Sequence, residues 1–252
     1  MYRSKQAVWR GASAMLLCAA LGVSGGAQED STEAAVTDSG DHHSHSEHAY
    51  AHHAVHHDFS NAEEWAARFD SPERAAWQKP DEVVALLAIE PGMSVVDLGA
   101  GTGFFLKHLS QAAGADGVVQ ALDPEVEMVR YMSQRAEREG LANVEARQIP
   151  FDDPELAEGS VDRILIVNTW HHIEEREAYS QKLYDALEPG GRVFIVDFTR
   201  DSPSGPPVAA RLLPDQVIAE LTAGGLEARV VEETLPRQYV VVGRRERPPK
   251  TP

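Results

Sequence analysis

The sequence predicts an α/β fold in which a mostly parallel sheet of seven strands, ending in an antiparallel hairpin, carries helices on both faces. Short apolar runs alternate along the chain with helical apolar patterns, which indicates strands linked by helices. The run 161–167 is almost continuously apolar, as in a parallel strand that is covered on both faces. The last two strands are joined by a turn at 235–236 that is too short for a helical crossover, so one of them must run antiparallel.

The first 27 residues have the pattern of an export signal. Three basic residues precede an apolar segment, 12–23, and the small residues at 24–27 predict cleavage after Ala27. The apolar segment is shorter than the roughly 20 residues that a membrane-spanning helix needs. We therefore expect an exported, periplasmic protein with no stable membrane span, and an uncleaved N-terminal anchor is the alternative.

Residues 28–57 lack an apolar pattern and are predicted to form a disordered linker. In a helix, three of its histidines would share one face that suits zinc, copper or nickel. Because composition alone supports such a site, we favour a solvated tether that binds metal opportunistically, and we assign no metal site. The segment holds eight of the 11 histidines of the chain: His42, His43, His45, His48, His52, His53, His56 and His57.

Length and composition leave room for one well-filled domain, predicted at 58–252. Its N-terminal part, 58–90, has aromatic residues at the spacing of short amphipathic helices, with Ser71 as a helix cap before Pro72. We expect these helices to cover the sheet edge and partly roof the ligand cleft, while a purely core-filling role for the two tryptophans, Trp65 and Trp77, is the alternative.

Charge and cysteine content exclude several functions. The formal net charge of −17 disfavours nucleic acid as a partner, because its phosphates would be repelled. Cys18 is the only cysteine and would leave with the signal, so the mature chain would have neither a disulfide nor thiol chemistry. The bulky Leu17 before it argues against lipidation of this cysteine.

A glycine turn follows the first predicted strand of the sheet. Residues 95–98 are apolar except for Asp97, and Gly99, Gly101 and Gly103 come next at every second position, ahead of a helical pattern. Strand, glycine turn and helix open the nucleotide-binding unit of a doubly wound, Rossmann-like sheet. Glycine lets the backbone turn and lets a ligand lie against it, while amide groups at the start of the helix meet polar atoms of the ligand.

Two carboxylates indicate which nucleoside this turn binds. Asp123 ends the second predicted strand, where an acid accepts hydrogen bonds from both ribose hydroxyls. Asp97 lies two residues before the first glycine and would repel the pyrophosphate of a dinucleotide. S-adenosylmethionine has no phosphate, and its ammonium group would attract a nearby carboxylate. The sequence therefore favours S-adenosylmethionine over a nicotinamide cofactor.

The remaining predicted elements complete the sheet. Glycine at 140 ends the second crossover helix, and a polar loop at 199–207 follows the fifth strand. The predicted helices are 125–140, 174–187 and 215–223, and the predicted strands after Asp123 are 143–149, 161–167, 192–198, 227–234 and 238–244.

These patterns resemble the class I S-adenosylmethionine-dependent methyltransferases over residues 80–245. The resemblance rests on 97–103, Asp123, 168–173 and the turn 188–191, and the stretches 77–80 and 202–207 are similar to small exported bacterial members. It implies that either Asp152 or Asp153 lies near the adenine amino group, although the usual Gly-Asp-Ala lead-in is absent. The other cofactor-binding positions that the resemblance implies are Asp97, Gly99, Ala100, Gly101 and Gly103 for the methionine end, Asp123 and Pro124 around the ribose, and Asn168.

Methyl transfer to a protonated acceptor needs a base beside the methyl group. His171 and His172 follow the end of the fourth strand and are the candidates, and a structural role for either one is the alternative. Trp170 is a candidate wall of the pocket, and Asp197, at the end of the fifth strand, a candidate for orienting the substrate. These positions predict a small-molecule acceptor.

Two acceptor classes are disfavoured by what the sequence lacks. The Asn-Pro-Pro-aromatic signature of amino-group methylation on nucleobases or glutamine is absent. Arsenite methylation is disfavoured because, by resemblance to known arsenite methyltransferases, it needs several cysteines, and the predicted mature chain has none. What remains is an organic acceptor that attacks through oxygen, nitrogen or carbon.

Two other functions remain open from the sequence. One is a non-enzymatic exported module that binds a nucleoside or metal, since S-adenosylmethionine is made in the cytoplasm. The other is a nicotinamide-dependent oxidoreductase, because that fold shares the strand, the glycine loop and the ribose acid.

Overall fold

The computed structural model describes residues 61–248. The predicted signal 1–27 and the histidine-rich linker 28–57 lie outside these residues, as does the start of the predicted helical cap. Within the described part, none of the helices is both long enough and apolar enough to span a bilayer.

Seven strands form one sheet in the order β3-β2-β1-β4-β5-β7-β6. Strands β1 to β5 are parallel, and β7 pairs antiparallel with both β5 and β6. This confirms the predicted mostly parallel sheet with its C-terminal hairpin. The strands are β1 (Ser94–Leu98), β2 (Val118–Asp123), β3 (Val144–Gln148), β4 (Val161–Val167), β5 (Leu187–Phe198), β6 (Glu227–Val231) and β7 (Gln238–Arg244).

The helices fall into an N-terminal group and a group that connects the strands. Ser71 caps the second helix by accepting a hydrogen bond from the amide of Arg74 at 3.4 Å, and Pro72 occupies its first turn, as the sequence predicts. The N-terminal helices are α1 (Ala62–Phe69), α2 (Pro72–Gln78) and α3 (Pro80–Leu87), and the connecting helices are α4 (Leu106–Ala113), α5 (Val126–Glu139), α6 (Arg176–Ala186) and α7 (Pro214–Ala223).

Apolar residues on both faces of the sheet are buried, which explains the nearly continuous apolar strands. Along β4, Ile164 and Ile166 belong to one hydrophobic cluster, while Leu165 and Val167 belong to the other. Helices α6 and α7 cover the first cluster, and α3 and α4 cover the second. The sheet order reverses between β1 and β4, so the carboxyl ends of these strands mark the switch point at which open α/β sheets bind ligands.

Two strands differ in length from their predictions. β5 begins at Leu187 rather than 192, because Leu187 already pairs with Val161 before an irregularity in the ladder. β6 ends at Val231 rather than 234. The amide of Thr234 donates a hydrogen bond to Glu82 of α3 at 2.7 Å and so does not pair with β7. Both differences come from partners distant in sequence, which a local pattern does not reveal.

Candidate functional site

The glycine turn joins the carboxyl ends of β1 and β2. The amides of Gly99 and Ala100 both donate to the carbonyl of Leu122, at 2.8 and 3.1 Å. Gly99, Gly101 and Gly103 have φ values of +70°, +57° and +79°, which side chains other than glycine rarely adopt. A Cβ added to Gly99 would also stand 2.3 Å from Cγ2 of Thr169, so the turn packs against the end of β4 as well.

Asp97 is buried at the end of β1 and lacks a full set of partners. It is 2% exposed, and its Oδ2 is the only enclosed side-chain nitrogen or oxygen without a hydrogen bond among residues 61–248. Burial raises the pKa of Asp97 to about 7, with Arg74 opposing this shift and Asp123 adding to it. A buried unpartnered carboxylate is costly, which favours a cationic ligand group beside it.

Asp123, at the end of β2, is held by backbone amides on both sides. Its Oδ2 accepts from the amide of Gly101 at 2.9 Å and its Oδ1 from that of Glu125 at 3.0 Å. Burial raises its pKa to about 6 in spite of these bonds. The structure thus brings Asp97, Asp123 and the glycine turn together at one edge. Pro124 follows directly, and its carbonyl accepts a bond from Gln148 at 2.9 Å.

The N-terminal helices reach this edge through the segment between α1 and α2. Asp70 accepts hydrogen bonds from the hydroxyl of Thr102 in the glycine turn, at 3.1 Å, and from Arg135 of α5, at 3.0 Å. Arg135 also donates to the Thr102 carbonyl at 3.1 Å. The ring of Phe69 lies 3.8 Å from the position that a Cβ on Gly101 would occupy. The N-terminal helices therefore contact the glycine turn, and their role as a partial roof over the ligand stays a prediction.

His171 forms a buried pair with Asp197. Its Nδ1 lies 3.0 and 2.9 Å from the two carboxylate oxygens of Asp197, which accept its hydrogen. Asp197 Oδ1 also accepts from the amide of Phe198 at 2.8 Å, which fixes the carboxylate. His171 Nε2 makes no hydrogen bond with the described residues. Among those residues, Asp97 Oδ2 is the only fully enclosed side-chain nitrogen or oxygen without a hydrogen bond, so Nε2 is partly accessible. The pair therefore presents an acceptor nitrogen beside the carboxyl ends of β4 and β5.

The residues around this pair differ in their surroundings. The ring of His172 lies 4.2 Å from that of His171, and its side chain is half-buried. Trp170 is fully buried and donates to Glu220 at 2.8 Å, so it fills core rather than forming a pocket wall. Asn168 adopts φ +55° at the end of β4, and its Oδ1 accepts from Gln238 at 2.6 Å.

The two candidate adenine residues are not equivalent. Asp153 accepts hydrogen bonds from the amide of Glu155 at 2.8 Å and from Lys182 at 2.9 Å, and these bonds lower its pKa. The carboxylate of Asp152 is exposed and forms no hydrogen bond with the described residues. Of the two carboxylates, that of Asp152 is the one available to a ligand.

Comparison with known proteins identifies the family. A sequence model for a methyltransferase domain matches residues 89–234, which is more than half of the chain. The chain belongs to the class I S-adenosylmethionine-dependent methyltransferases. Its cofactor is S-adenosylmethionine.

Solved and curated relatives agree with this family. An S-adenosylmethionine-dependent methyltransferase from Aquifex aeolicus superposes with a TM-score of 0.69 at 28% identity, covering 75% of this chain and 99% of that one. An uncharacterised methyltransferase of Mycobacterium bovis is 33% identical over 133 residues, 53% of this chain and 51% of its own. The arsenite methyltransferase of Halobacterium salinarum is 31% identical over 119 residues, 47% of this chain and 30% of its own. The methyltransferase thus spans at most about half the length of these curated relatives.

The edge described above fits this cofactor. The orphaned Asp97 oxygen suits the ammonium of a methionine group, and Asp123 keeps lone pairs for ribose hydroxyls beyond its two amide bonds. S-adenosylmethionine has no phosphate, so no phosphate-binding cation is needed, and the Asp97 carboxylate would repel a phosphate. The methyltransferase residues that would hold the cofactor are therefore those of the glycine turn together with Asp97 and Asp123.

Sequence reasoning missed the polar residues that the N-terminal helices bring to this edge. Arg74 of α2 interacts electrostatically with Asp97, and Gln78 hydrogen-bonds to Gln238, which in turn holds Asn168. Gln78 and Gln238 are 0% and 1% exposed. On the short helix α2, Arg74 and Gln78 look like any solvated polar face, and only the burial of Gln78 against Gln238 of β7 in the fold distinguishes it.

Proposed function

We propose that the chain transfers the methyl group of S-adenosylmethionine to a small organic acceptor whose attacking atom loses its proton to His171. The pair of His171 with Asp197 carries this proposal, because a histidine held at Nδ1 by a buried carboxylate presents Nε2 as a proton acceptor. The pair lies at the carboxyl ends of β4 and β5, and β4 is the neighbour of the strand that bears Asp97.

The chain has three tasks in this reaction. When bound, the cofactor supplies an electrophilic methyl carbon on a sulfonium, and the C–S bonding pair stays with sulfur after transfer. Asp97 would hold the ammonium of the methionine group and Asp123 the ribose hydroxyls, which would align the reacting carbon. Nε2 of His171 takes the proton from the acceptor as its oxygen, nitrogen or carbon bonds to the methyl carbon. Asp197 keeps the imidazole in the Nδ1–H tautomer and stabilises the imidazolium that forms.

An organic acceptor is better supported than arsenite. The chain resembles arsenite methyltransferases over about half of its length, but trivalent arsenic is thiophilic and is held best by soft thiolate ligands. The single cysteine, Cys18, lies outside both the matched residues and the part that the structure describes. A histidine base instead suits an acceptor with an ionisable O–H, N–H or activated C–H group.

A methyl-transfer screen with the full chain tests the proposal. Radiolabelled S-adenosylmethionine is offered with panels of phenols, amines and enolisable carbonyl compounds. We expect transfer to members of at least one panel, and a loss of about 100-fold or more in kcat for His171→Asn. His108→Asn is the matched control, because His108 pairs with the exposed Asp81 on α3. An unchanged rate for His171→Asn on every accepted substrate would refute the role of the base.

We further propose that the protein is exported and cleaved after Ala27. The basic start, the apolar segment and the small residues at 24–27 support this. Fractionation of cells that express the full chain should place it in the periplasm with Gln28 as its first residue, read by N-terminal sequencing. Leu16→Arg should block export, since a charge interrupts the apolar segment. A cytoplasmic protein that begins at Met1 would contradict the proposal.

A further inference from the structure

We propose that Arg74 of α2 binds the carboxylate of the cofactor's methionine end, opposite Asp97, which takes the ammonium. The site would then be completed by a helix that lies outside the residues matched by the family, 89–234. The inference rests on the cofactor and does not depend on the identity of the methyl acceptor.

Arg74 is fixed at the glycine turn by contacts that leave part of its guanidinium available. It donates from Nε to Gln78 at 3.0 Å and from NH1 to the Phe69 carbonyl at 2.9 Å. Its Cζ lies 4.3 Å from the ring centroid of Phe104, which follows the last glycine of the turn. NH2 makes no hydrogen bond within the described residues. The guanidinium is thus oriented, with donors to spare.

Arg74 and Asp97 interact electrostatically without forming an ion pair. The charge of Asp97 acts favourably on Arg74, yet no contact within 4.0 Å joins them in the described part of the chain. The other charges near Arg74 are those of Asp70 and Arg135, and these two are already paired with each other at 3.0 Å. Burial lowers the pKa of Arg74 to about 10, which leaves it charged at neutral pH.

A zwitterion satisfies both groups at once. The Asp97 oxygen lacks a donor and Arg74 has an unused N–H group, so a ligand that carries an ammonium and a carboxylate on one carbon supplies both partners. Guanidinium is also the side-chain group best matched to a carboxylate. In the alternative role, Arg74 contacts no ligand and serves only as a distant counter-charge to Asp97. The two roles predict different binding affinities.

Three ligands that differ in the methionine end separate the two roles. S-adenosylmethionine has both charges, decarboxylated S-adenosylmethionine keeps only the ammonium, and 5′-methylthioadenosine has neither. Calorimetry with the wild-type full chain should show about 10- to 100-fold weaker binding of the decarboxylated ligand. Arg74→Met should weaken binding of S-adenosylmethionine by a similar factor and binding of the decarboxylated ligand less than about 3-fold.

The controls make each outcome decisive. Arg68→Met removes an exposed arginine of α1 that stacks on Trp65 at 5.6 Å, and it should leave all three affinities unchanged. Arg74→Lys keeps the charge without the fork and should give an intermediate carboxylate preference, which covers the case in which Arg74→Met fails to fold. Equal weakening of both charged ligands by Arg74→Met would overturn the proposal in favour of the counter-charge role. If Arg74→Met does not fold, an unchanged carboxylate preference in Arg74→Lys would do the same. A wild-type chain that binds none of the three would overturn the cofactor assignment together with it.

Discussion

At the scale of single residues, Asp97 determines how the site responds to pH. Its pKa is raised to about 7 by burial, so the folded protein holds a proton there that the unfolded chain has already released. Stability from this group is therefore present at low pH and is lost as pH rises from about 4 to 7. Asp123, with a pKa raised to about 6, adds to the loss in the same range.

Asp97→Asn should remove this loss of stability and weaken cofactor binding at the same time. We expect the variant without ligand to be more stable than wild type by about 1–3 kcal/mol at pH 8, and no more stable at pH 4. Wild-type affinity for S-adenosylmethionine should increase as pH rises through 7, because Asp97 ionises, while the variant should bind about 10-fold or more weakly without this trend. Denaturant unfolding and calorimetry between pH 4 and 8 measure both. An equal affinity at pH 8 would show that Asp97 does not contact the ligand.

The imidazole of His171 offers a second residue-scale test, which needs no acceptor. The Asp197 carboxylate accepts from Nδ1, so neutral His171 should be the Nδ1–H tautomer, seen in its ¹⁵N chemical shifts. Asp197→Asn can offer an N–H group instead, so we expect a mixed or reversed tautomer. His108 serves as the internal reference. An unchanged ¹⁵N spectrum of His171 in Asp197→Asn would contradict the orienting role.

At the scale of elements, Asp70 attaches the α1–α2 segment to the glycine turn, directly through the Thr102 hydroxyl at 3.1 Å and indirectly through Arg135. This side chain of α5 joins Asp70 at 3.0 Å to the Thr102 carbonyl at 3.1 Å. The far end of the N-terminal group is held separately, by Gln78 on Gln238 and by Glu82 on Thr234. The two attachments hold α2, and with it Arg74, beside the glycine turn.

Arg135→Ala should therefore loosen α1 and the start of α2. We expect backbone hydrogen exchange there to be about 10-fold faster, with α6 unchanged, because the lost bonds are local. Bound S-adenosylhomocysteine should restore part of the protection if the cofactor bridges α2 and the turn. Arg130→Ala is the matched control, since Arg130 lies on the same helix in an exposed pair with Glu127. Equal exchange rates in the two variants would show that Arg135 does not hold the segment.

At the scale of the whole molecule, cofactor binding and folding are linked. A ligand that binds only the folded chain stabilises it by about 2.7 kcal/mol at 100 times its Kd, or a Tm increase of about 5–11 °C for a domain of this size. S-adenosylhomocysteine should produce this increase and NAD should not, because Asp97 places a carboxylate where a pyrophosphate would lie. Differential scanning fluorimetry compares the two ligands. Stabilisation by NAD alone would favour the oxidoreductase alternative.

The amino-acid sequence by itself determined the sheet, the glycine turn and the two carboxylates beside it, Asp97 and Asp123, while their role in binding the cofactor stays a prediction. These follow from local rules: apolar periodicity specifies each element, and three glycines next to Asp97 specify a backbone and a charge at one point of the chain. Only the tertiary structure decided that Asp197 holds His171, that Trp170 fills core, and that Arg74 lies against the ring of Phe104 at the glycine turn. Each of these depends on residues far apart in the chain, whose meeting is set by sheet order and helix packing, and no local pattern encodes such distances.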